Sequence, residues 1–292
     1  MTSPERPEQQ AITSPRSDRV RRIASLSGRS ARRRHGLLRV EGPQAVRSLL
    51  AERPDVATEL FLTDRAAADH PELTRLARSA DIPHRVVGDD VLRAMVRDDD
   101  GSGGMVSPQG AVATARPVDR PLDDALAALP TGPVSVAVLH DLRDPGNVGT
   151  LLRTADAAGA ALVILTAGSA DPHAPKVVRA SAGSLFHVPV VVGADPATLL
   201  ETLRGAGLAP VATSGYAPQD LFAAALPSRV AWLFGNEAHG LPTDVIDASD
   251  LAVRIPLAGR AESLNVTTAA TVCLFEQLRR HHPTPTGTTT PR

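Results

Sequence analysis

Six short runs of Val, Ala and Leu set the terms for the second half of the chain. They fall near residues 134–140, 161–165, 188–192, 209–213, 230–234 and 252–255, with helix-length patterns beginning near Asn147, Ala174, Pro196 and Pro242 between them. These runs are apolar at successive positions, not at alternate ones, so they need cover on both faces, which a parallel sheet clad in helices supplies. The spacing predicts an α/β domain closed by a last helix from Leu264 to about His282. The run ending at Phe234 stops at Gly235-Asn236-Glu237. The one ending at Ile255 stops at Pro256 and a Gly-containing turn, before Glu262-Ser263-Leu264-Asn265. Buried strands that end in Gly-rich polar loops at one sheet edge are a usual frame for a ligand crevice.

A second alternation precedes this one. Strands are expected near 37–40, 59–63, 84–87 and 110–115, helices over 43–52, 71–80 and 89–96, and a basic helix from Arg16 onward. Residues 16–115 thus read as a small α/β domain, with 98–104 as a polar, flexible loop. Prolines 117, 121, 130 and 133 mark 116–133 as a linker around one short helical patch, and 134–282 as the second domain. The ends, 1–15 and 283–292, read as disordered tails.

At 292 residues and 42% hydrophobic content the chain can bury two cores. No apolar run reaches the roughly 18 residues of a membrane span, and the amino terminus lacks the apolar segment of a secretion signal. One cysteine, Cys273, excludes a disulfide framework and reads as a small buried hydrophobe. A reducing cytoplasm fits. The nine histidines are scattered, so no metal set is expected.

Net charge is −1, but its distribution is uneven: residues 16–47 hold ten arginines against two acids, Asp18 and Glu41. Such a block suits phosphate, and Arg32, Arg33 and Arg34 are its densest part. A solvated basic helix or a frayed arm would carry the same charges.

Four motifs stand out. In Asp144-Pro145-Gly146-Asn147-Val148-Gly149-Thr150-Leu151-Leu152-Arg153, Asn147 is placed to cap a helix whose interior holds Arg153. Six residues apart, the two lie about 600° round the helix and do not share a face. A plain cap and a surface arginine would explain most of this. In Lys176-Val177-Val178-Arg179, the two cations sit at i, i+3, fit either to hold a phosphate or to form a solvated face. Gly235 and Gly240 bracket Asn236, Glu237 and His239, permitting close backbone approach to a ligand, with His239 read as a turn residue. In Glu262-Ser263-Leu264-Asn265, Ser263 is placed to cap the last helix. The dinucleotide, phosphate-loop and serine-hydrolase signatures are absent.

Together, and in this order, the first, third and fourth motifs resemble the three signature motifs of the SpoU/TrmH family of RNA ribose methyltransferases, within the SPOUT superfamily. The resemblance covers 134–282. More weakly, Arg33 to Val46, RRHGLLRVEGPQAV, is similar to the start of that family's ribosomal-protein-like substrate-binding domain. It implies a parallel α/β domain threaded into a trefoil knot, an exception to the rule against knots. It also implies S-adenosylmethionine held mostly by backbone, with Gly235, Ile255 and Leu264 lining it and Thr213 beside them. A homodimer is implied, with the final helix and first motif at its interface. Asn147, Arg153, Glu237, Ser263 and Asn265 match the family's polar active-site positions, and Thr267 stands where serine is commoner.

The expectation is therefore methylation of a ribose 2′-hydroxyl in structured RNA, without a metal. Arginine is never deprotonated in proteins, so Arg153 is assigned to orienting the substrate and the general base is left open. A whole preceding α/β domain favours rRNA over tRNA. The alternatives are a tRNA ribose methyltransferase, a catalytically silent RNA-binding protein of the same fold, and a small-molecule enzyme for which the basic arm would be superfluous.

Overall fold

The computed structural model describes residues 12–97 and 109–281. The chain forms two compact units, Met1–Pro117 with His173–Arg179 and Val118–Pro172 with Ala180–Arg292. Residues 1–11 of the expected tail 1–15, the polar loop 98–104 and the tail 283–292 fall outside the described residues.

In the first unit α1 (Asp18–Ser25), α2 (Arg29–His35), β1 (Leu38–Glu41), α3 (Pro43–Glu52), β2 (Ala57–Leu62), α4 (Asp64–Asp69), α5 (Pro71–Ser79), β3 (His84–Val86), α6 (Asp89–Met95) and β4 (Ala111–Ala115) follow in order. The sheet runs β1-β4-β2-β3, parallel only between β2 and β3. Phe61 and Val112, register partners, meet Val20 and Ile23 of α1 and Val91, Leu92 and Met95 of α6. Leu60 and Leu62 point the other way and are buried too, so both sheet faces are covered. Ile12, expected in a disordered tail, packs against the α1–α6 cluster, because an apolar side chain beside that core gains by leaving water.

The basic stretch is two helices, not one. Arg32 explains the break: its Nη1 donates to the carbonyls of Leu26 (2.9 Å) and Ser27 (2.6 Å), closing the turn after α1. Arg32 is consequently buried, which corrects its expected role on RNA. Arg39 is fully buried; its Nε meets Glu41 Oε1 at 2.6 Å and its Nη1 donates to Met95 O at 2.8 Å and Ala24 O at 3.2 Å, tying β1 to the ends of α6 and α1. Arg179 Nη1 takes the other Glu41 oxygen at 2.7 Å, so this guanidinium serves a buried carboxylate and is not the phosphate holder anticipated. Two of the ten arginines of the block are thus internal struts.

After Pro117 come α7 (Leu122–Ala127), β5 (Val134–Leu139), α8 (Pro145–Ala157), β6 (Leu162–Thr166), α9 (Pro175–Ala180), β7 (Val190–Ala194), α10 (Pro196–Gly205), β8 (Ala209–Thr213), β9 (Gln219–Asp220), β10 (Arg229–Phe234), α11 (Thr243–Asp247), β11 (Leu251–Arg254) and α12 (Val266–His281), of which α9 up to Arg179 belongs to the first unit and the rest form the second. Its sheet, β7-β6-β5-β10-β8-β11-β9, is parallel throughout. Val136, Val138, Ile164 and Leu233 share one core with Leu199 and Leu203 of α10 and with Ala125 and Leu126 of α7, so the proline-rich interval contributes to the core. Ala137, Leu139, Trp232 and Phe234 face the other way and are equally buried. The short β9 and α4 were not legible in the sequence: each is too brief to show a period.

The strand order positions the site. From β5 the chain steps outward through β6 and β7, while β10 lies on β5's other side. Helical connections leave these two neighbours in opposite senses, opening a crevice at their carboxyl ends.

Candidate active site

The crevice is floored by the loop after β5 and the loop after β10. Asp144, just before Pro145, is the N-cap of α8: its Oδ1 accepts from Asn147 N at 2.8 Å. Gly146 makes this possible, since a Cβ there would lie 2.9 Å from that oxygen. The sequence expectation that Asn147 caps the helix is therefore corrected. An Asp-Pro pair at a helix start was the available signal.

Freed from capping, the Asn147 side chain turns to the neighbouring loop. Glu237 Oε1 accepts from Asn147 Nδ2 (3.1 Å) and from Asp144 N (3.0 Å), and its Oε2 from Arg143 N (3.4 Å). Asn265 Nδ2 donates to Asn147 Oδ1 at 3.3 Å. Its own Oδ1 accepts from Thr267 N (2.8 Å) and Thr267 Oγ1 (2.6 Å). Three segments, with Asn147 90 residues from Glu237 and 118 from Asn265, thus share one polar chain, Glu237–Asn147–Asn265–Thr267.

Glycine holds the second loop in shape. Asn236 and Gly240 exchange backbone hydrogen bonds (3.0 and 2.8 Å), and a Cβ on Gly235 would stand 2.2 Å from Gly240 C. Gly235 is thus required by the loop's own backbone. Asn236 Nδ2 donates to Asp141 O at 2.8 Å, a second tie between the loops that sequence reasoning missed. Asp141, at φ 51, pairs with Arg143 at 3.1 and 2.9 Å.

The SpoU rRNA Methylase family profile matches residues 135–275. The 23S rRNA (guanosine-2′-O-)-methyltransferase RlmB of Nitrosomonas europaea is 33% identical over 243 residues, covering 82% of this chain and 90% of that one. A 23S rRNA (uridine(2479)-2′-O)-methyltransferase of Streptomyces viridochromogenes is 33% identical over 273 residues, covering 91% of each. The chain belongs to the SpoU rRNA methylase family. The AdoMet-bound rRNA methyltransferase of Sinorhizobium meliloti has the same fold, with a TM-score of 0.78 at 28% identity over 94% of this chain and 99% of that one.

The remaining expected positions of this SpoU family member sort into two groups. Thr213 ends β8, and Gly235 and Ile255 follow the ends of β10 and β11; the three strands are adjacent, with Val253 opposite Thr213 and Thr213 Oγ1 donating to Leu233 O at 2.8 Å. Leu264 ends the loop after Ile255, and this loop passes Gly215, where a Cβ would stand 3.9 Å from Glu262 O. Arg153 and Ser263 stay outside the polar chain. Both are exposed, and neither side chain has a partner among the described residues. Ser263 does not cap α12. Asn265 does, its carbonyl taking Ala269 N at 2.9 Å while its side chain takes Thr267 N, because Ser263 lies two residues too early. His239 is exposed, as a turn residue should be, and Cys273 is buried, with burial pushing its thiol up to about 12.

Burial pushes the Glu237 carboxyl up, but its own backbone amide, Asn147 and the Asp144 and Arg143 amides outweigh this and hold it below the usual carboxylate range. It is an ionised acceptor at neutral pH with its oxygens already engaged. Among the described residues no group of three or more His, Cys, Asp or Glu could hold a metal ion, and no helix is long and apolar enough to cross a membrane.

Proposed function

We propose that this protein transfers a methyl group from S-adenosylmethionine to a ribose 2′-hydroxyl of rRNA. One observation carries the reading: Glu237, Asn147 and Asn265, drawn from three separate motifs, join in one hydrogen-bonded chain at the switch point of the sheet, and α8, which bears Asn147, also bears Arg153, unpaired among the described residues. The names of the Nitrosomonas and Streptomyces relatives support the substrate, and the AdoMet-bound neighbour supports the methyl donor.

The residues present fit that donor. From Ile255 to Leu264 no backbone group makes a hydrogen bond among the described residues, leaving free amides and carbonyls beside Thr213 and Gly235. Peptide groups of this kind suit the edge of an adenine and an amino-acid moiety. S-adenosylmethionine supplies an already activated methyl sulfonium. The chain's task is then to align a ribose oxygen and relieve it of a proton. Arg153 orients the ribose and its phosphate through its fork of N–H donors. Glu237, with both oxygens engaged, positions Asn147 and is not the base. Transfer would break the donor's S–CH3 bond, releasing a neutral thioether, and form the ribose O–CH3 bond, while the 2′-hydroxyl proton would pass to a phosphate oxygen of the RNA. Ser263 remains assigned to the nucleotide, which would supply the partner it lacks among the described residues.

The first unit is assigned to holding RNA, as a ribosomal-protein-like domain. Arg22, Arg29, Arg33 and Arg34 are exposed and without side-chain partners among the described residues, and they take over the role expected of Arg32 and Arg179. A trefoil knot is part of the same reading: β11 enters between β8 and β9, and α12 then returns to pack on α8. So is a homodimer through α8 and α12, supported by Phe275, 42% exposed on α12.

The test is labelled methyl transfer to protein-free rRNA followed by nucleoside analysis. Label recovered as a 2′-O-methylnucleoside supports the reading; label on a base, or acceptance of tRNA alone, overturns it.

A further inference from the structure

The loop after β8 carries the one tyrosine of the chain, and folding leaves it uncovered. Aromatic residues are scarce here: five phenylalanines, one tryptophan and Tyr216 in 292 residues. Phe61, Phe186, Trp232 and Phe234 are buried, and Phe222 and Phe275 are 51% and 42% exposed, whereas Tyr216 is 98% exposed. Its hydroxyl has no partner among the described residues. A ring left in water forgoes the gain that burial would bring. Isolated exposed apolar groups are ordinary on protein surfaces, but this one is set apart by how firmly its backbone is held and by where it stands.

The backbone under the ring is fixed on both sides. Ser214 N donates to Val253 O of β11 at 3.0 Å, and Ala217 N donates to Ser214 O at 3.2 Å, so Gly215 and Tyr216 form the tip of a tight turn. Ser214 Oγ accepts from Tyr216 N at 3.3 Å. On the far side Arg254 Nη1 donates to the carbonyls of Ala217 (2.8 Å) and Pro218 (2.5 Å), and Ala217 is itself buried. β11 thus clamps the turn at its start and its end, and the turn presents the ring to solvent. It does so at the strand-end edge of the sheet. Thr213, the last residue of β8, lies three residues before Tyr216, and a Cβ on the intervening Gly215 would meet Glu262 O at 3.9 Å, an ordinary contact. The turn therefore lies against the loop from Ile255 to Leu264, beside Ser263, which is assigned to the nucleotide. The positions assigned to the donor, Thr213, Gly235 and Ile255, lie at the roots of these loops, while Tyr216 lies at a tip. What meets the tip is what arrives from solvent. RNA is read where its bases are unstacked, and an aromatic ring takes such a base on its face whatever the sequence. Tyrosine offers a large flat ring with only two side-chain torsions to fix.

We propose that Tyr216 stacks on the base of the nucleotide whose ribose is methylated, holding it out of the RNA stack while its 2′-hydroxyl meets the methyl group. This rests on the methyl-transfer reading above, and it adds to that site a residue that acts on the RNA and not on the donor.

The test compares full-length wild type with Tyr216→Phe, Tyr216→Leu and Tyr216→Ala in labelled methyl transfer to protein-free rRNA at varied rRNA concentration, with calorimetric binding of S-adenosylmethionine alongside. Tyr216→Ala should raise KM for rRNA about tenfold, the scale of one lost stack. Tyr216→Leu should follow it, since an aliphatic side chain has bulk without a face, and Tyr216→Phe should stay within about twofold of wild type because the ring is kept. Donor affinity and the thermal midpoint should not move, because the side chain stands in water. In a second arm Tyr216→p-benzoylphenylalanine is irradiated with the same rRNA, and the crosslink should fall on the nucleotide that acquires the 2′-O-methyl group or on its immediate neighbour. Tyr216→Ala with the kinetics of wild type, Tyr216→Phe as impaired as Tyr216→Ala, crosslinks scattered along the rRNA, or donor affinity that falls with loss of the ring, which would put the adenine there instead, would each overturn the proposal. Wild-type transfer indifferent to Tyr216 removes the stack alone, and a single crosslinked nucleotide without any transfer removes the reaction and keeps the stack.

Discussion

The arginines of the first unit and the polar residues of the second present opposite cases of the same rule. In the first unit a dense run of charge splits on folding: Arg32 and Arg39 turn inward to satisfy carbonyls and Glu41, while Arg33 and Arg34 remain in water. In the second unit, Asn147, Glu237 and Asn265 lie far apart in sequence and converge in one chain of hydrogen bonds. Like charges close in sequence need not share a task, since the backbone groups nearest each side chain decide where it goes. Residues at the ends of adjacent parallel strands must meet, because the sheet brings those ends to one edge.

Substitutions can break each half of this contrast. The largest effect is expected from Arg39→Ala. It leaves Glu41 with Arg179 alone and strands the carbonyl of Met95, costing the first unit about 3 kcal/mol, read as an earlier unfolding transition in denaturant. Next, Glu237→Ala should lower methyl transfer about a hundredfold by releasing Asn147 and the β5–α8 loop; a rate within a few-fold of wild type would mean that the network is not part of the site. Asn265→Ala should cost about 1 kcal/mol of α12 stability as a lost cap, whereas Ser263→Ala should leave thermal stability unchanged and lower only turnover. Equal stability losses would restore Ser263 as the cap. Neutralising Arg33 and Arg34 together should weaken rRNA binding and flatten its salt dependence by about two charges. Arg32→Ala should instead act on stability.

The smallest effect concerns pH. Glu276, beside Arg279 and Arg280, is pulled down to about 2 by its hydrogen bonds to Arg279, burial opposing, and to Arg280. A depressed carboxylate adds stability above its unfolded value, and that increment drains away as pH falls toward the folded one. The thermal midpoint should therefore drop between about pH 4.5 and 2, and Glu276→Gln should shrink the drop.

How much of this was readable beforehand follows from the same physics. The six runs of the second unit located their strands because buried parallel strands are apolar at every position, a signal independent of partners. Gly235 was legible as a close approach, although the backbone it admits is that of Gly240 and Leu241. Asp144 was missed as the cap because Asn147 occupies an equally plausible place, and only the turn of its amide toward Glu237 separates the two. The fates of Arg32, Arg39 and Arg179 were unreadable, since each depends on carbonyls or a carboxylate brought near by folding.

Arg153→Ala tests the central claim most directly, with calorimetric binding of S-adenosylmethionine and labelled methyl transfer to rRNA measured on the same preparation. The account predicts donor affinity near that of wild type and transfer reduced to background, because Arg153 makes no hydrogen bond to the strand-end backbone among the described residues and its proposed partner is the RNA. Undiminished transfer, or a wild-type protein that does not bind the donor, would contradict it.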